Sequence, residues 1–169
     1  MNPYKCTLYN CKSLNKLQNY LYIDDKDFFK KLVKDLNHFP ERFYTSFKQK
    51  DTGRELFKCS NIINRLHKRL ISLFNVTIET YIKSGIKKES HITNAKYHKN
   101  NNSFLLMDIK SFYPSMTKSL IKKHLILVYK QSSNVAEFIA NLVTIQQIKS
   151  SGKRALVTGS PLSQFFSYV

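Results

Sequence analysis

The segment that begins at Asp24 combines an acidic start with apolar residues at helical spacing. Its apolar residues are Phe28, Phe29, Leu32, Val33 and Leu36. Steps of one, three and four place them on one helical face, and acidic side chains are favoured at a helix N-terminus. The pattern predicts a short amphipathic helix.

The residues after Pro40 change to a strand-like pattern. The runs RFYTSFKQK and RELFKCS are separated by the turn sequence DTG. Two such runs joined by a loop that contains glycine are typical of a β-hairpin.

The longest helical pattern begins near Asn61. Its apolar face is formed by Ile62, Ile63, Leu66, Leu70, Leu73 and Phe74, and the opposite face carries Arg65, Lys68 and Arg69. The pattern predicts a core helix. Its basic side is expected either to contact nucleic-acid phosphates or to be an ordinary solvated face.

The remaining segments complete the predicted α+β fold. SHITNAKYH predicts a short helix, KNNN a polar turn, and the apolar run FLLMDI a buried strand that ends at Asp108. TKSLIKKHLILVYK and NVAEFIANLVTI have helical spacing, KSSGKRAL indicates a loop or turn, and SPLSQFFSYV begins another apolar element.

Charge narrows the class of partner. Lys and Arg number 28 against 11 Asp and Glu, a formal net charge of +17. A field of this sign favours polyanions, namely nucleic acid, nucleotides or an anionic membrane. The chain has no apolar run of transmembrane length, and its 3 cysteines lack a C-x-x-C pair, so we expect a soluble cytoplasmic protein without a membrane partner.

Asp108 follows four apolar residues, and a carboxylate at a strand end can be a turn residue, a helix cap or a ligand of a hard cation. The surrounding stretch FLLMDIKSFYPSMT resembles the first catalytic palm motif of prokaryotic reverse transcriptases of the retron, group II intron and phage-defence types. The resemblance implies that Asp108 and the backbone carbonyl of Ile109 hold catalytic Mg²⁺. It also implies that Tyr113 is a steric gate against the ribose 2'-hydroxyl, and that Phe112 packs in the core.

The last segment, TGSPLSQFFSYV, is similar to the next palm motif of that family, a turn that leads into a helix beside the nucleotide. Gly159, Ser160, Pro161 and Ser163 carry the match, and the first three are implied to contact the nucleotide. Thr158 departs from the Gln of many relatives, which puts a contact to the nucleotide's 3'-hydroxyl in doubt. Taken alone, Gly-Ser-Pro is an ordinary turn before a helix.

Upstream, the hairpin, the long helix and the Asn-Ala-x-x-His sequence at Asn94 and His98 resemble the fingers of the same enzymes. The resemblance implies that Lys50 and Arg54, on either side of the hairpin turn, bind the nucleotide's phosphates; a solvated charged hairpin is the alternative. Asn94 and His98 are either structural or ligand-contacting. The implied organisation is a helical extension over 1–39, mainly helical fingers over 40–103 and an incomplete antiparallel palm over 104–169.

The chain does not contain the family's Tyr-x-Asp-Asp motif in the expected place. Residues 22–25 read YIDD, but they precede the fingers, and their acids are expected to cap a helix. The motif and the thumb are expected beyond Val169, where an apolar run ends without a helix cap. The chain alone is therefore expected to be inactive unless a protein partner or a missing C-terminal half completes it.

The implied function is RNA-directed DNA polymerisation: nucleotidyl transfer from dNTPs, with an RNA template, a DNA or RNA primer and two Mg²⁺ ions. An RNA-templated RNA polymerase is the nearest alternative enzyme. A non-catalytic nucleic-acid-binding remnant or defence-system component is the alternative from another class. A basic helical interaction module with a chance resemblance is the third.

Overall fold

The helices and strands mostly follow the predicted order. The computed structural model describes residues 3–51, 53, 55–75, 89–146 and 152–166. In these residues the helices are α1 (Leu14–Tyr20), α2 (Lys26–His38), α3 (Asn61–Phe74), α4 (His91–Tyr97), α5 (Phe112–Ser115), α6 (Lys118–Leu127), α7 (Ser133–Val143) and α8 (Pro161–Phe166). The strands are β1 (Tyr44–Lys48), β2 (Glu55–Cys59), β3 (Thr144–Gln146) and β4 (Arg154–Leu156). The α+β class is confirmed.

The chain divides into two units. The larger consists of Asn2–Val76 with Ser111–Val169, and the smaller of Thr77–Lys110 with Met1. The domain boundaries predicted after residues 39 and 103 stay predictions. In the part of the chain that the structure describes, no helix is both long and apolar enough to cross a bilayer.

Helix α7 lies at the centre of the larger unit's core. Its residues from Val135 to Val143 are buried except Glu137, a pattern typical of a helix that is covered on nearly every side. Helices α1, α2 and α6 pack against it. Core side chains with no exposed surface include Leu36, Ile63, Leu70, Ile121, Leu125 and Ile139.

An aromatic cluster fixes α8 against α3. The ring of Phe74 stacks on Phe165 with centroids 4.4 Å apart, and it meets Tyr129 edge-on at 5.1 Å. Phe166 is buried beside them. Aromatic pairs of this kind add to the hydrophobic contribution of burial, so the start of α8 is held in place by the core.

The predicted hairpin is present, as β1 paired antiparallel with β2. A second antiparallel hairpin, β3 with β4, was not predicted. Thr144 and Ile145 continue the apolar spacing of α7, and the sequence-based extension of that helix over them is wrong. The hydroxyl of Thr144 donates to the carbonyl of Ala140 at 2.7 Å, taking the acceptor that the next helical N–H would use. Arg154 and the residues after it are likewise strand, not loop.

In the smaller unit, α4 begins with a capping box. The Thr93 N–H donates to the Ser90 hydroxyl at 3.2 Å, and the Ser90 N–H donates to the Thr93 hydroxyl oxygen at 2.8 Å. These bonds satisfy backbone donors that a helix leaves unpaired at its start. None of the α4 residues is buried, so local capping contributes more to this helix than packing does.

Candidate functional site

The segment that carries Asp108 is not a buried strand. Residues 103–109 have no regular secondary structure, and Phe104, Leu106 and Met107 are 66%, 94% and 85% exposed. The prediction of a buried strand is therefore wrong. Among the described residues no strand pairs with this segment, and without a neighbour a strand leaves its backbone N–H and C=O groups unpaired.

Asp108 and Ile109, the residues implied to hold Mg²⁺, are both exposed and belong to the smaller unit. Within the ranges that the structure describes, no three His, Cys, Asp or Glu side chains lie close enough to hold a metal ion. A carboxylate is the right kind of ligand for Mg²⁺, but two-metal chemistry requires several anionic anchors. The described residues therefore supply only part of the ligand set that two Mg²⁺ ions require.

The Gly-Ser-Pro turn, residues 159–161, lies against the hairpin. The backbone N–H of Phe57, in β2, donates to the carbonyl of Thr158 at 3.1 Å. Gly159 has φ +95°, and a Cβ on it would lie 3.5 Å from the carbonyl oxygen of Phe57. Positive φ favours glycine, because it lacks a Cβ. Two segments that are distant in sequence are thus joined through their backbones.

Ser160 and Pro161 shape the start of α8. The buried Ser160 hydroxyl accepts from the Ser163 N–H at 3.3 Å and hydrogen-bonds the Ser163 hydroxyl. Pro161 is the first helical residue, where its missing N–H costs no hydrogen bond. Both residues therefore have a structural role, and Ser160 uses its side chain within the turn.

Tyr113 lies in α5, which is anchored to the same region. The N–H of Leu156, in β4, donates to the carbonyl of Met116 at 2.9 Å, just after α5. Tyr113 and Phe112 are half-buried against the core, with their rings edge-on at 5.4 Å. The expectation that Phe112 packs in the core is confirmed. Strand β4 therefore connects the Tyr113 turn to the Gly-Ser-Pro turn.

Lys50 lies in the hairpin turn and is exposed. The turn is closed by the Gly53 N–H, which donates to the carbonyl of Gln49 at 2.9 Å, and Gly53 has φ +63°. Arg54, the other cation implied to bind phosphate, lies outside the described residues. The hairpin therefore presents Lys50 to solvent beside the turn.

The basic side of α3 is only partly free for phosphates. Arg65 and Lys68 are exposed. Arg69 instead donates from Nε to the carbonyl of Tyr20 at 2.8 Å, and its guanidinium lies 4.0 Å from the ring centroid of Tyr22. Cation–π contact and hydrogen bonding give Arg69 a structural role at the end of α1.

Asn94 and His98 do not form a shared contact among the described hydrogen bonds. Asn94 is exposed on α4, and His98 is the residue after that helix. A hydrogen bond of 3.2 Å joins Nδ1 of His98 to the side-chain amide of Asn101. The structure gives His98 a local turn contact and leaves Asn94 exposed.

The Tyr-Ile-Asp-Asp sequence at residues 22–25 is a helix start. The Asp25 carboxylate accepts from the N–H groups of Asp27 and Phe28, both at 2.9 Å. This is the capping arrangement that pairs otherwise unsatisfied donors of the first turn. The prediction that this acidic pair caps α2 is confirmed for Asp25.

The sequence-based prediction missed two polar residues with structural contacts, one buried and one half-buried. His67 is fully buried on α3, and its imidazole Nε2 lies 2.8 Å from the carbonyl oxygen of Leu142. Arg154 donates to four carbonyl oxygens at the ends of α2 and α7; they belong to Leu36, Asn37, Asn141 and Thr144. Helical spacing with Ile63 and Leu70 signals the burial of His67, whereas no local signal marks Arg154.

In comparisons with known proteins, neither a protein-family model nor a curated protein sequence matches the chain.

Proposed function

We propose that this chain forms the fingers and the first palm segment of a reverse-transcriptase-like polymerase. Its reaction is the template-directed transfer of nucleotides from dNTPs to a primer, with an RNA template. Asp108 contributes one carboxylate, and Tyr113 limits which sugar is accepted. The proposal rests on three motifs that occur in the order of that family: the hairpin with its helix, FLLMDIKSFYPSMT, and TGSPLSQFF.

The observation that carries the proposal is the hydrogen bond between the hairpin and the turn before α8. Phe57 donates to Thr158 at 3.1 Å, and both residues belong to segments that the resemblance assigns to the nucleotide pocket. A chance resemblance gives no reason for these segments to meet. The anchoring of α5 on β4 also supports the proposal. It holds Tyr113 beside the strand that leads into the Gly-Ser-Pro turn.

Bound Mg²⁺ would activate the primer 3'-oxygen and neutralise charge on the triphosphate. Asp108 and the Ile109 carbonyl are the groups of this chain that we assign to holding it. The described residues do not complete a two-metal site, and the proposal takes its further carboxylates from a protein partner or from additional polypeptide. Binding of dNTP, rather than turnover, is therefore the activity to measure in this chain.

The sugar preference of bound nucleotide tests the role of Tyr113. We expect the chain to bind dUTP more tightly than UTP with MgCl₂, because these two nucleotides differ only in the 2'-hydroxyl, and Tyr113→Ala to remove most of that difference. Tyr4→Ala is the matched control, since Tyr4 is an exposed tyrosine outside the candidate site. If Tyr113→Ala leaves the dUTP-to-UTP ratio unchanged, the gate assignment is wrong. An RNA-templated polymerase would instead accept UTP in the unmodified chain.

A non-catalytic nucleic-acid-binding protein is the second candidate, favoured by the net charge of +17. Such a protein binds through phosphate contacts, whose affinity falls steeply with salt. It has no need of Asp108. Nucleic-acid binding without any Mg²⁺-dependent binding of dNTP would support this candidate over the polymerase.

A further inference from the structure

A basic cleft lies at the start of α6, and it shares no residue with the candidate nucleotide site. Its volume is about 680 Å³, and its lining includes Lys118, Ser119, Lys122, Glu137, Lys153 and Arg154. These residues come from α6, α7 and the β3–β4 hairpin, which pack together in the larger unit. Three structural elements of the larger unit therefore form the cleft.

Cations outnumber anions in this cleft. Both carboxylate oxygens of Glu137 are paired, one with the ammonium of Lys118 and the other with that of Lys122 at 2.7 Å. Arg154 meets neutral carbonyl oxygens at the ends of α2 and α7. The lining thus carries four cationic side chains and one carboxylate, and this excess of positive charge favours an anionic ligand. The Glu41 carboxylate, which is not part of the lining, also acts on Arg154.

The ion pairs hold the two lysines in place. The side chains of Lys118, Lys122 and Glu137 are only 25%, 31% and 29% exposed. Burial disfavours ionisation of Glu137, but hydrogen bonds from both lysines outweigh it and lower its pKa. The carboxylate stays charged at neutral pH and positions both ammonium groups on the cleft wall.

The lining also limits what the ligand can be. Among the described residues, the cleft has no aromatic side chain on which a nucleobase could stack. Lysine ammonium and serine hydroxyl groups are instead typical contacts of phosphate oxygens. The first turn of α6 adds the positive end of its helix dipole. These groups can bind phosphate, but they provide no stacking contact for a nucleobase.

We propose that this cleft binds adjacent phosphate groups, from either a free polyphosphate or a nucleic-acid backbone. Lys118 and Lys122 provide the charge, and Ser119 provides a neutral hydrogen bond. Glu137 holds the lysines and competes with the ligand for them. The proposal does not depend on polymerase activity or on Asp108.

Calorimetric titration with sodium tripolyphosphate, and separately with single-stranded oligothymidylate, tests the proposal. Lys118→Gln/Lys122→Gln should weaken binding about tenfold or more, because charge-assisted contacts to phosphate are lost. Lys31→Gln/Lys34→Gln removes the same charge from exposed positions on α2 and should change affinity less than about twofold.

Glu137→Gln provides a test with the opposite sign. Removing the competing carboxylate should tighten tripolyphosphate binding several-fold, a gain that misfolding cannot produce. Asp27→Asn is its control, because it removes another carboxylate paired with a lysine, Lys30, at an exposed site.

The two ligands distinguish the source of the phosphates. Loss of tripolyphosphate binding alone in the double variant identifies a free polyphosphate, loss of oligonucleotide binding alone identifies a backbone, and loss of both identifies phosphate in either form. Equal affinity of the lysine variant and its α2 control for both ligands would overturn the proposal. So would an unchanged or lower affinity of Glu137→Gln for tripolyphosphate.

Discussion

The backbone N–H of Phe57 donates a hydrogen bond of 3.1 Å to the carbonyl of Thr158. This bond ties β2 to the turn before α8, and both groups belong to the backbone. We therefore expect side-chain substitutions at Phe57 or Thr158 to leave the bond in place, and changes in the backbone conformation of the neighbouring Gly159 to disturb it.

Gly159→Ala should destabilise the protein by about 1–2 kcal/mol, because an alanine is strained at positive φ. A steric clash does not cause this loss of stability, because the new Cβ would lie at an ordinary contact distance, 3.5 Å, from the nearest atom, the Phe57 carbonyl oxygen. We expect weaker dTTP binding as well, because the turn would shift away from β2. Urea unfolding and calorimetry measure the two effects.

Gly152→Ala is the control for that substitution. Gly152 also has positive φ, +77°, and the atom nearest to its added Cβ is Nε2 of the Gln146 side chain, at 3.9 Å. Stability should fall by a similar amount while dTTP binding is retained, because Gly152 lies outside the candidate nucleotide site. Equal losses of binding in both variants would contradict a specific role for the Gly159 turn.

Asp25→Ala should cost about 1 kcal/mol of stability, the usual effect of removing an N-cap side chain. Two N–H groups, those of Asp27 and Phe28, lose their acceptor. Chemical denaturation measures this cost. Mg²⁺-dependent dTTP binding should not change, and its loss would indicate that the acidic pair at residues 24–25 acts in the active site.

Protonation of His67 should make the fold less stable at low pH. Burial lowers its pKa from 6.5 to about 4, although the contact to the Leu142 carbonyl acts in the opposite direction. Because the folded pKa is the lower one, the stabilisation is fully present above pH 6.5 and is lost as pH falls toward 4. The free energy involved is about 3 kcal/mol.

The free energy of unfolding of the unmodified chain and of His67→Gln, measured from pH 4 to pH 8, checks this effect. Glutamine keeps an N–H donor for the Leu142 carbonyl but does not titrate. The two curves should run parallel above about pH 6.5, and the stability advantage of the unmodified chain should shrink as the pH falls from 6.5 toward 4. Curves that stay parallel over the whole range would show that another group causes the acid sensitivity.

Arg154→Met should destabilise the protein by about 2–4 kcal/mol, since buried carbonyl oxygens at two helix ends lose a charged donor. Those oxygens include Leu36 of α2 and Asn141 of α7. Arg65→Met, on the exposed side of α3, should change stability by less than about 0.5 kcal/mol. Urea unfolding distinguishes them, and similar effects of both substitutions would contradict the role of Arg154.

Local patterns predicted much of the fold. The apolar stripes of α2 and α3, the acidic cap at Asp25 and the turn between β1 and β2 are all properties of short segments. The Gly-Ser-Pro sequence likewise indicates the turn before α8. These features depend on neighbours within a few residues, so they can be read without knowing the tertiary structure.

The missed features depend on distant contacts. The stretch FLLMDI has strand-like composition, but a strand also needs a partner, and composition does not reveal whether one is there. Arg154 meets carbonyl oxygens of α2 that are 117 and 118 positions away. Strand β3 continues an apolar helical spacing, so only the hydroxyl bond of Thr144 and the pairing with β4 separate it from α7.

The most direct test of the proposed function compares dTTP binding by Asp108→Asn and Asp25→Asn, each titrated with and without MgCl₂. Both substitutions remove one carboxylate, but only Asp108 is assigned to Mg²⁺. The account predicts that Asp108→Asn abolishes the Mg²⁺-dependent part of dTTP binding and that Asp25→Asn retains it. Equal Mg²⁺-dependent binding by the two variants, or none by the unmodified chain, would contradict it.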